Sequence, residues 1–134
     1  MRSLAVVLKV VAPLILAVGA LHLALGLRAD ALLGARVPAE AMADPGLDSQ
    51  NRFYGVSFTL YGVLLLLCAT DIPRYATVLR CVLWTFFAAG VARVVSIAIH
   101  GLPPPLIIAL LMAEVIPPPL LTSWLSRVEH ESWS

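Results

Sequence analysis

An arginine and a glutamate stand inside stretches that are otherwise apolar. Arg93 has mostly hydrophobic residues on both sides, and Glu114 follows the apolar sequence LLMA. A charge inside a membrane-spanning helix costs at least about 2.5–3.5 kcal/mol on insertion scales, so it normally faces protein or water and has a partner. Each of these residues can serve as the partner of the other. The sequence therefore predicts a buried Arg93–Glu114 ion pair.

Such a pair is compatible with three roles. Arg93 can offer a ligand a fixed positive charge and hydrogen-bond donors, with Glu114 as the counter-charge. Alternatively, Glu114 or His22 can act as a general acid or base whose protonation is tuned by burial. The third interpretation is structural only, because a buried ion pair can fix helix register, and Arg93 can also extend towards the lipid head groups.

Further polar residues recur at helical spacing. Ser96 and His100 continue the helix face of Arg93, and Tyr54 and Tyr61 share a face of another helix. Counted from the nearest expected helix ends, all of them lie in the same half of the membrane, which predicts a polar cavity there. The expected ligand-binding residues are Arg93, Ser96, Tyr54, Tyr61, Arg52, Asn51 and His100, and the expected catalytic residues, if the protein is an enzyme, are Glu114 and His22.

The composition is that of a membrane protein. Of 134 residues, 60% are hydrophobic and 13% are charged, and the mean hydropathy is +0.94. Soluble domains contain roughly 45–50% apolar and about 25% charged residues. With a net charge of +1 and no basic run, nucleic acid is not an expected partner. The sequence also predicts no metal site, since it lacks metal-ligand spacing, and it leaves any cofactor unknown.

Four apolar segments, about residues 4–27, 53–70, 75–99 and 103–125, are each long enough to cross a bilayer. They predict an all-α fold, an integral membrane four-helix bundle that forms a single domain over residues 1–134. A polar loop, residues 28–52, is expected at the membrane interface, with Asp48 capping the second span. The last helix is expected to be broken by prolines 117–119, which lack amide donors. Alternatively, it ends there and the following apolar residues lie along the interface.

Basic residues near the ends of the segments indicate the orientation. Lys and Arg are more frequent on the side of the two termini, by five to three. The positive-inside rule then predicts that both termini of this integral membrane protein are cytoplasmic. The first segment also has features of a signal peptide, because Arg2 and Lys9 accompany it and the sequence AMA lies downstream. We expect a retained span, since AMA lies well beyond the apolar run.

Several short motifs together carry a family resemblance. They are LHLALG at 21–26, DSQNRFYG at 48–55, YG at 61–62, ARVVS at 92–96, GLPPP at 101–105, and Glu114. In this order and spacing they resemble the small bacterial membrane proteins grouped as domain of unknown function 4345, a family that looks loosely similar to DoxX-like proteins. The resemblance implies a four-helix membrane fold and the positions of the polar residues, and it implies no reaction. The prolines after Glu114 look particular to this chain.

These observations predict a small integral membrane protein that binds a lipophilic or amphipathic small molecule in a polar half-membrane cavity. It could instead serve as an accessory subunit, with a membrane-protein partner or a second copy of itself. The alternative is an intramembrane enzyme, an isomerase or cyclase acting on an isoprenoid or another lipid-soluble substrate. A quinone-linked redox protein is disfavoured, because the sequence contains neither a C-x-x-C pair nor a cofactor motif. Mass spectrometry of co-purifying molecules separates binding from catalysis.

Overall fold

The computed structural model describes the backbone of residues 2–133 and the side chains of residues 2–129. All regular structure in this part of the chain is helical, as predicted. The helices are α1 Arg2–Leu25, α2 Arg28–Leu32, α3 Ala39–Met42, α4 Pro45–Thr70, α5 Ala76–His100, α6 Pro105–Val115 and α7 Pro117–Trp133. Four segments are long and apolar enough to span a membrane, namely α1, α4, α5 and the segment Pro105–Glu129 formed by α6 with α7. The protein is therefore an integral membrane protein with four helical spans.

The second span begins earlier than the sequence predicts. Pro45 is the first residue of α4, so residues 45–52, expected in the polar loop, form its first turns. The expected cap is also wrong. Asp44, and not Asp48, accepts hydrogen bonds from the amides of Gly46 and Leu47, at 2.7 and 3.0 Å. A carboxylate before a proline at the first helical position is a strong start signal, which the turn-like sequence DPG obscures.

The last span is broken at its prolines, as predicted. The last backbone hydrogen bond of α6 runs from the amide of Ile116 to the carbonyl of Met112, at 3.0 Å. Prolines 117–119 then donate no amide, so the i→i−4 ladder is interrupted and the chain bends. Helical structure resumes at once as α7, which continues to Trp133.

The chain consists of two compact units. The first unit is Val10–Val63, and the second contains residues 2–9 together with residues 64–133. In the first unit, α1 and α4 cross with their backbones in contact. A β-carbon on Gly19 would lie 2.7 Å from the amide of Thr59, and one on Gly55 would lie 2.7 Å from the amide of Leu23. Small residues of this kind allow membrane helices to approach closely.

The second unit has an aliphatic core. Leu4, Leu8, Leu79, Leu125 and Cys68 are its largest fully buried side chains. They come from the start of α1, the end of α4, α5 and α7. This packing holds α5 in place, and α5 carries the arginine of the candidate site.

Candidate functional site

In the second unit, α5 and α6 bring Arg93 and Glu114 into direct contact. Arg93 Nε donates to Glu114 Oε2 at 2.7 Å, and Arg93 Nη2 donates to Glu114 Oε1 at 3.0 Å. Such two-pronged pairs are among the strongest charge-assisted hydrogen bonds. Glu114 is only 8% exposed. The buried Arg–Glu pair predicted from the sequence is confirmed.

Close packing of α5 on α6 makes this contact possible. A β-carbon on Gly90, one turn before Arg93, would lie 2.6 Å from Val115 Cγ2 and 3.2 Å from Glu114 Cβ. The turn between the helices depends on Gly101, whose φ of +88° favours glycine. Its amide closes α5 by donating to the carbonyl of Ile97 at 2.8 Å.

The pair lies well inside two candidate membrane spans, away from the ends at which they are joined. At about 1.5 Å per residue, Arg93 is about 10 Å from the end of α5 at His100, and Glu114 is about 14 Å along α6 from Pro105. The hydrocarbon core of a bilayer is about 30 Å thick, so helices that cross it would place both charges below the membrane surface, on the side of the α5–α6 turn. Val94 and Val95, the next residues of α5, are half exposed, as expected of a helix that faces lipid.

A small cavity is lined in part by Arg93. Its volume is about 80 Å³, and it is partly open. The lining residues are Arg93, Ser96, Ile97, Gly101, Pro103, Ile107 and Leu111. Arg93 has five N–H donors, and two of them bind Glu114. No described residue accepts the other three. Apart from Arg93 and Ser96, the residues that line the cavity are apolar.

A second polar cluster lies in the first unit, around His22 at the end of α1. His22 Nδ1 lies 2.8 Å from the carbonyl of Val18, and Nε2 lies 3.4 Å from Asp30 Oδ1. Because a carbonyl only accepts, Nδ1 must carry the proton of this bond. Asn51 Nδ2 donates to the other oxygen of Asp30. Both ring nitrogens of His22 therefore have a partner, and the contact of Nε2 with Asp30 is a hydrogen bond when one of the two groups carries a further proton.

Asp30 is the member of this cluster that sequence analysis missed. Asp30 lies in the short helix α2, within a polar stretch in which a charged residue is ordinarily solvated. The only sequence feature that could have indicated its role is its position eight residues after His22. Asn51, which was expected at a ligand site, is 6% exposed. Its Oδ1 has no hydrogen-bond partner among the described residues. Asn51 thus contributes one bound donor and one buried acceptor.

Arg52 caps the C-terminal end of α1 by hydrogen bonds to its backbone carbonyls. Its Nη1 donates to the carbonyls of Leu23 at 2.6 Å and Ala24 at 3.3 Å, and its Nε donates to Asp48 Oδ2 at 2.8 Å. Asp48 Oδ1 in turn accepts from the amide of Leu27 at 3.2 Å. The residues Asp48 and Arg52, one turn apart on α4, therefore satisfy backbone groups that the end of α1 leaves unpaired.

The remaining expected site residues are placed as follows. Tyr54 is exposed on α4, where its hydroxyl accepts from Gln50 Nε2 at 3.2 Å. Tyr61 is half-buried on the same helix, and His100 is exposed as the last residue of α5. Of the residues expected at the ligand site, only Arg93 and Ser96 line the cavity. The convergence of all four spans on one site stays a prediction.

Comparison with known proteins identifies a family. The sequence model of a family described as a domain of unknown function (DUF4345) matches residues 3–125. The match covers most of the chain, and the protein therefore belongs to this family. No curated protein and no solved structure matches the chain.

Proposed function

We propose that this DUF4345 protein binds the polar end of a lipophilic or amphipathic small molecule beside the Arg93–Glu114 pair, inside the membrane. One observation carries the proposal. Arg93 has three N–H donors that no described residue accepts, and it lines a cavity. Ser96 adds a hydroxyl, while Ile107 and Leu111 supply apolar surface. A molecule with an oxygen acceptor at the end of an apolar body matches this combination.

The size of the cavity indicates how much of the ligand it takes. Pockets for complete drug-sized ligands measure about 300–1,000 Å³, whereas this cavity measures about 80 Å³. It therefore accommodates only the polar end. The rest of the molecule would lie outside the cavity, where the exposed side chains of Val94 and Val95 face lipid.

Acid–base catalysis has less support from the geometry. Both carboxylate oxygens of Glu114 accept hydrogen bonds from Arg93. Both ring nitrogens of His22 are engaged by Val18 and Asp30. A general acid or base must reach the proton it transfers, so either residue would first have to break these contacts. The enzyme alternative requires such a rearrangement, and binding requires none.

The location of the protein is part of the proposal. From the order of the four spans along the sequence, Arg2, Lys9, Arg74, Arg80 and Arg127 are assigned to one membrane face, and Arg28, Arg36 and Arg52 to the other. The positive-inside rule then supports cytoplasmic termini, and the resemblance to small bacterial membrane proteins favours a bacterial inner membrane. In that orientation the ligand would enter from the outer half of the bilayer. An accessory role, with a membrane-protein partner or a second copy, is compatible with this site.

Mass spectrometry of co-purified small molecules tests the proposal. The protein is purified gently, extracted with organic solvent, and compared with the double variant Arg93→Met/Glu114→Leu. The matched control is Arg80→Met/Glu129→Leu, because Arg80 and Glu129 form an ion pair between α5 and α7, away from the cavity. We expect a stoichiometric lipid-soluble molecule in the native protein and the control, and its loss from the site variant. Identical extracts from all three proteins would contradict the proposal.

A further inference from the structure

We infer that the polar group bound beside Arg93 is an uncharged oxygen acceptor, a carbonyl or hydroxyl oxygen, and not an anion such as a phosphate or carboxylate. The inference rests on the proposed function and narrows the class of ligand. A ketone, an ester or an alcohol with a long apolar chain belongs to this class.

The charge of the site is the first reason. Glu114 engages Arg93 through both of its oxygens, at 2.7 and 3.0 Å. The pair as a whole is therefore neutral. An anionic ligand would leave one uncompensated negative charge in a medium that solvates charges poorly, whereas an uncharged acceptor would leave none. The free N–H groups of Arg93 can serve an uncharged acceptor without changing the charge of the site.

The rest of the cavity wall gives the second reason. Arg93 is the only charged residue among those that line the cavity in the described chain. The nearest basic residue along α5 in the other direction, Arg80, is about 20 Å away at 1.5 Å per residue and is paired with Glu129. His100 is exposed at the end of α5 and does not line the cavity. No second cation of the cavity wall therefore compensates an anion.

Depth gives the third reason. The guanidinium group stands about 10 Å along α5 from its end. Lipid phosphates lie in the polar layer outside the hydrocarbon core. A phosphate would have to move from the polar layer into the hydrocarbon to reach Arg93. A lipid-soluble molecule with an uncharged oxygen already dissolves in the hydrocarbon. Both a membrane ester and a free long-chain ketone or alcohol meet this requirement.

Photocrosslinking with matched probes tests the charge of the ligand. The native protein in phosphatidylcholine nanodiscs is exposed to two single-chain probes of equal length, each with a diazirine on the chain. One ends in a methyl ketone and the other in a sulfonate, which stays anionic. A diazirine-bearing diacylglycerol forms a third arm, and competition between it and the ketone distinguishes a membrane ester from a free lipid-soluble molecule.

The isosteric variant Glu114→Gln provides the decisive comparison. It removes the counter-charge and leaves Arg93 as an uncompensated cation. We expect the native protein to capture the ketone over the sulfonate by at least about tenfold, and Glu114→Gln to lose or invert this preference. Glu129→Gln removes a carboxylate from the same unit without touching the cavity, and it should keep the native preference.

Each outcome has a separate meaning. Preferential capture of the sulfonate by the native protein overturns the inference and leaves the proposed function standing. Capture of neither probe above the level of Arg93→Met/Glu114→Leu overturns the proposed function and the inference with it. If Glu114→Gln does not fold, the native ratio alone decides between an uncharged ligand and an anion.

Discussion

Gly90 and Val115 approach so closely that a β-carbon on Gly90 would lie 2.6 Å from Val115 Cγ2. This contact seats α6 against α5 one turn before Arg93. The neighbour of Val115 is Glu114, whose carboxylate thereby reaches the guanidinium group. The absence of a side chain at Gly90 thus leaves room for α6 to approach α5 at the position where the two charges meet.

Gly90→Leu should separate α5 from α6. Overpacking of this kind typically costs about 1–3 kcal/mol, and here it should also weaken the ion pair. The measurement is the free energy of unfolding in detergent. The control is Ala89→Leu, which adds the same kind of bulk at an exposed neighbouring position and should have little effect. Equal losses from both variants would mean that the close approach at Gly90 has no special importance.

The cluster around Asp30 should tolerate the loss of Asn51 better than the loss of Asp30. Asp30→Ala leaves the buried amide of Asn51 without an acceptor, and an unsatisfied buried polar group costs about 1–3 kcal/mol. Asn51→Leu removes that donor together with the unpartnered Oδ1, and the partly exposed Asp30 keeps contact with solvent. Unfolding measurements with Glu40→Ala as an exposed control test this order, and the reverse order would contradict it.

Arg52→Ala should destabilise the protein without changing its ligand content. The guanidinium binds two end carbonyls of α1. We expect a loss of about 1 kcal/mol, because the side chain is nearly half exposed and solvent screens it. The exposed Arg36→Ala is the control. Unchanged stability combined with an altered ligand extract would instead make Arg52 a ligand contact, as the sequence first indicated.

Thiol labelling tests the orientation. With Cys68 and Cys81 replaced, single cysteines are placed at Ala43, before α4, and at Pro73, after it, both of which are exposed. If the termini are cytoplasmic, an impermeant maleimide should label position 43 in intact cells and position 73 only after lysis. The opposite pattern would invert the topology.

The spans and the ion pair were predictable because their causes are local or very costly to violate. Long apolar runs require a membrane, and two isolated charges within such runs require each other. The interruption at prolines 117–119 followed from the missing amides alone. None of these predictions required knowledge of which helices touch.

The contacts of Asp30 and Arg52 were not predictable for the opposite reason. Asp30 lies in a polar stretch where charges are ordinarily solvated, and its role depends on contacts with His22 and Asn51, which are far apart in sequence. Arg52 binds backbone carbonyls. Because every residue has a carbonyl, the sequence does not indicate which of them an arginine will bind. The early start of α4 was missed because the composition of residues 45–52 is polar and therefore resembles a loop. Their contacts with the end of α1, such as the hydrogen bond from Leu27 to Asp48, are visible only in the structure.

Both proposals rest on Arg93 and Glu114 acting as one neutral unit inside the membrane, and a double-mutant cycle of unfolding free energies in detergent measures this most directly. Arg93→Met and Glu114→Leu should each cost about 3–5 kcal/mol, because each leaves the other charge buried without a partner. The double variant should recover much of the summed loss, since replacing both members of a buried pair by apolar residues is often nearly neutral. If the two losses simply add, the side chains do not form a unit, and the site described here does not exist.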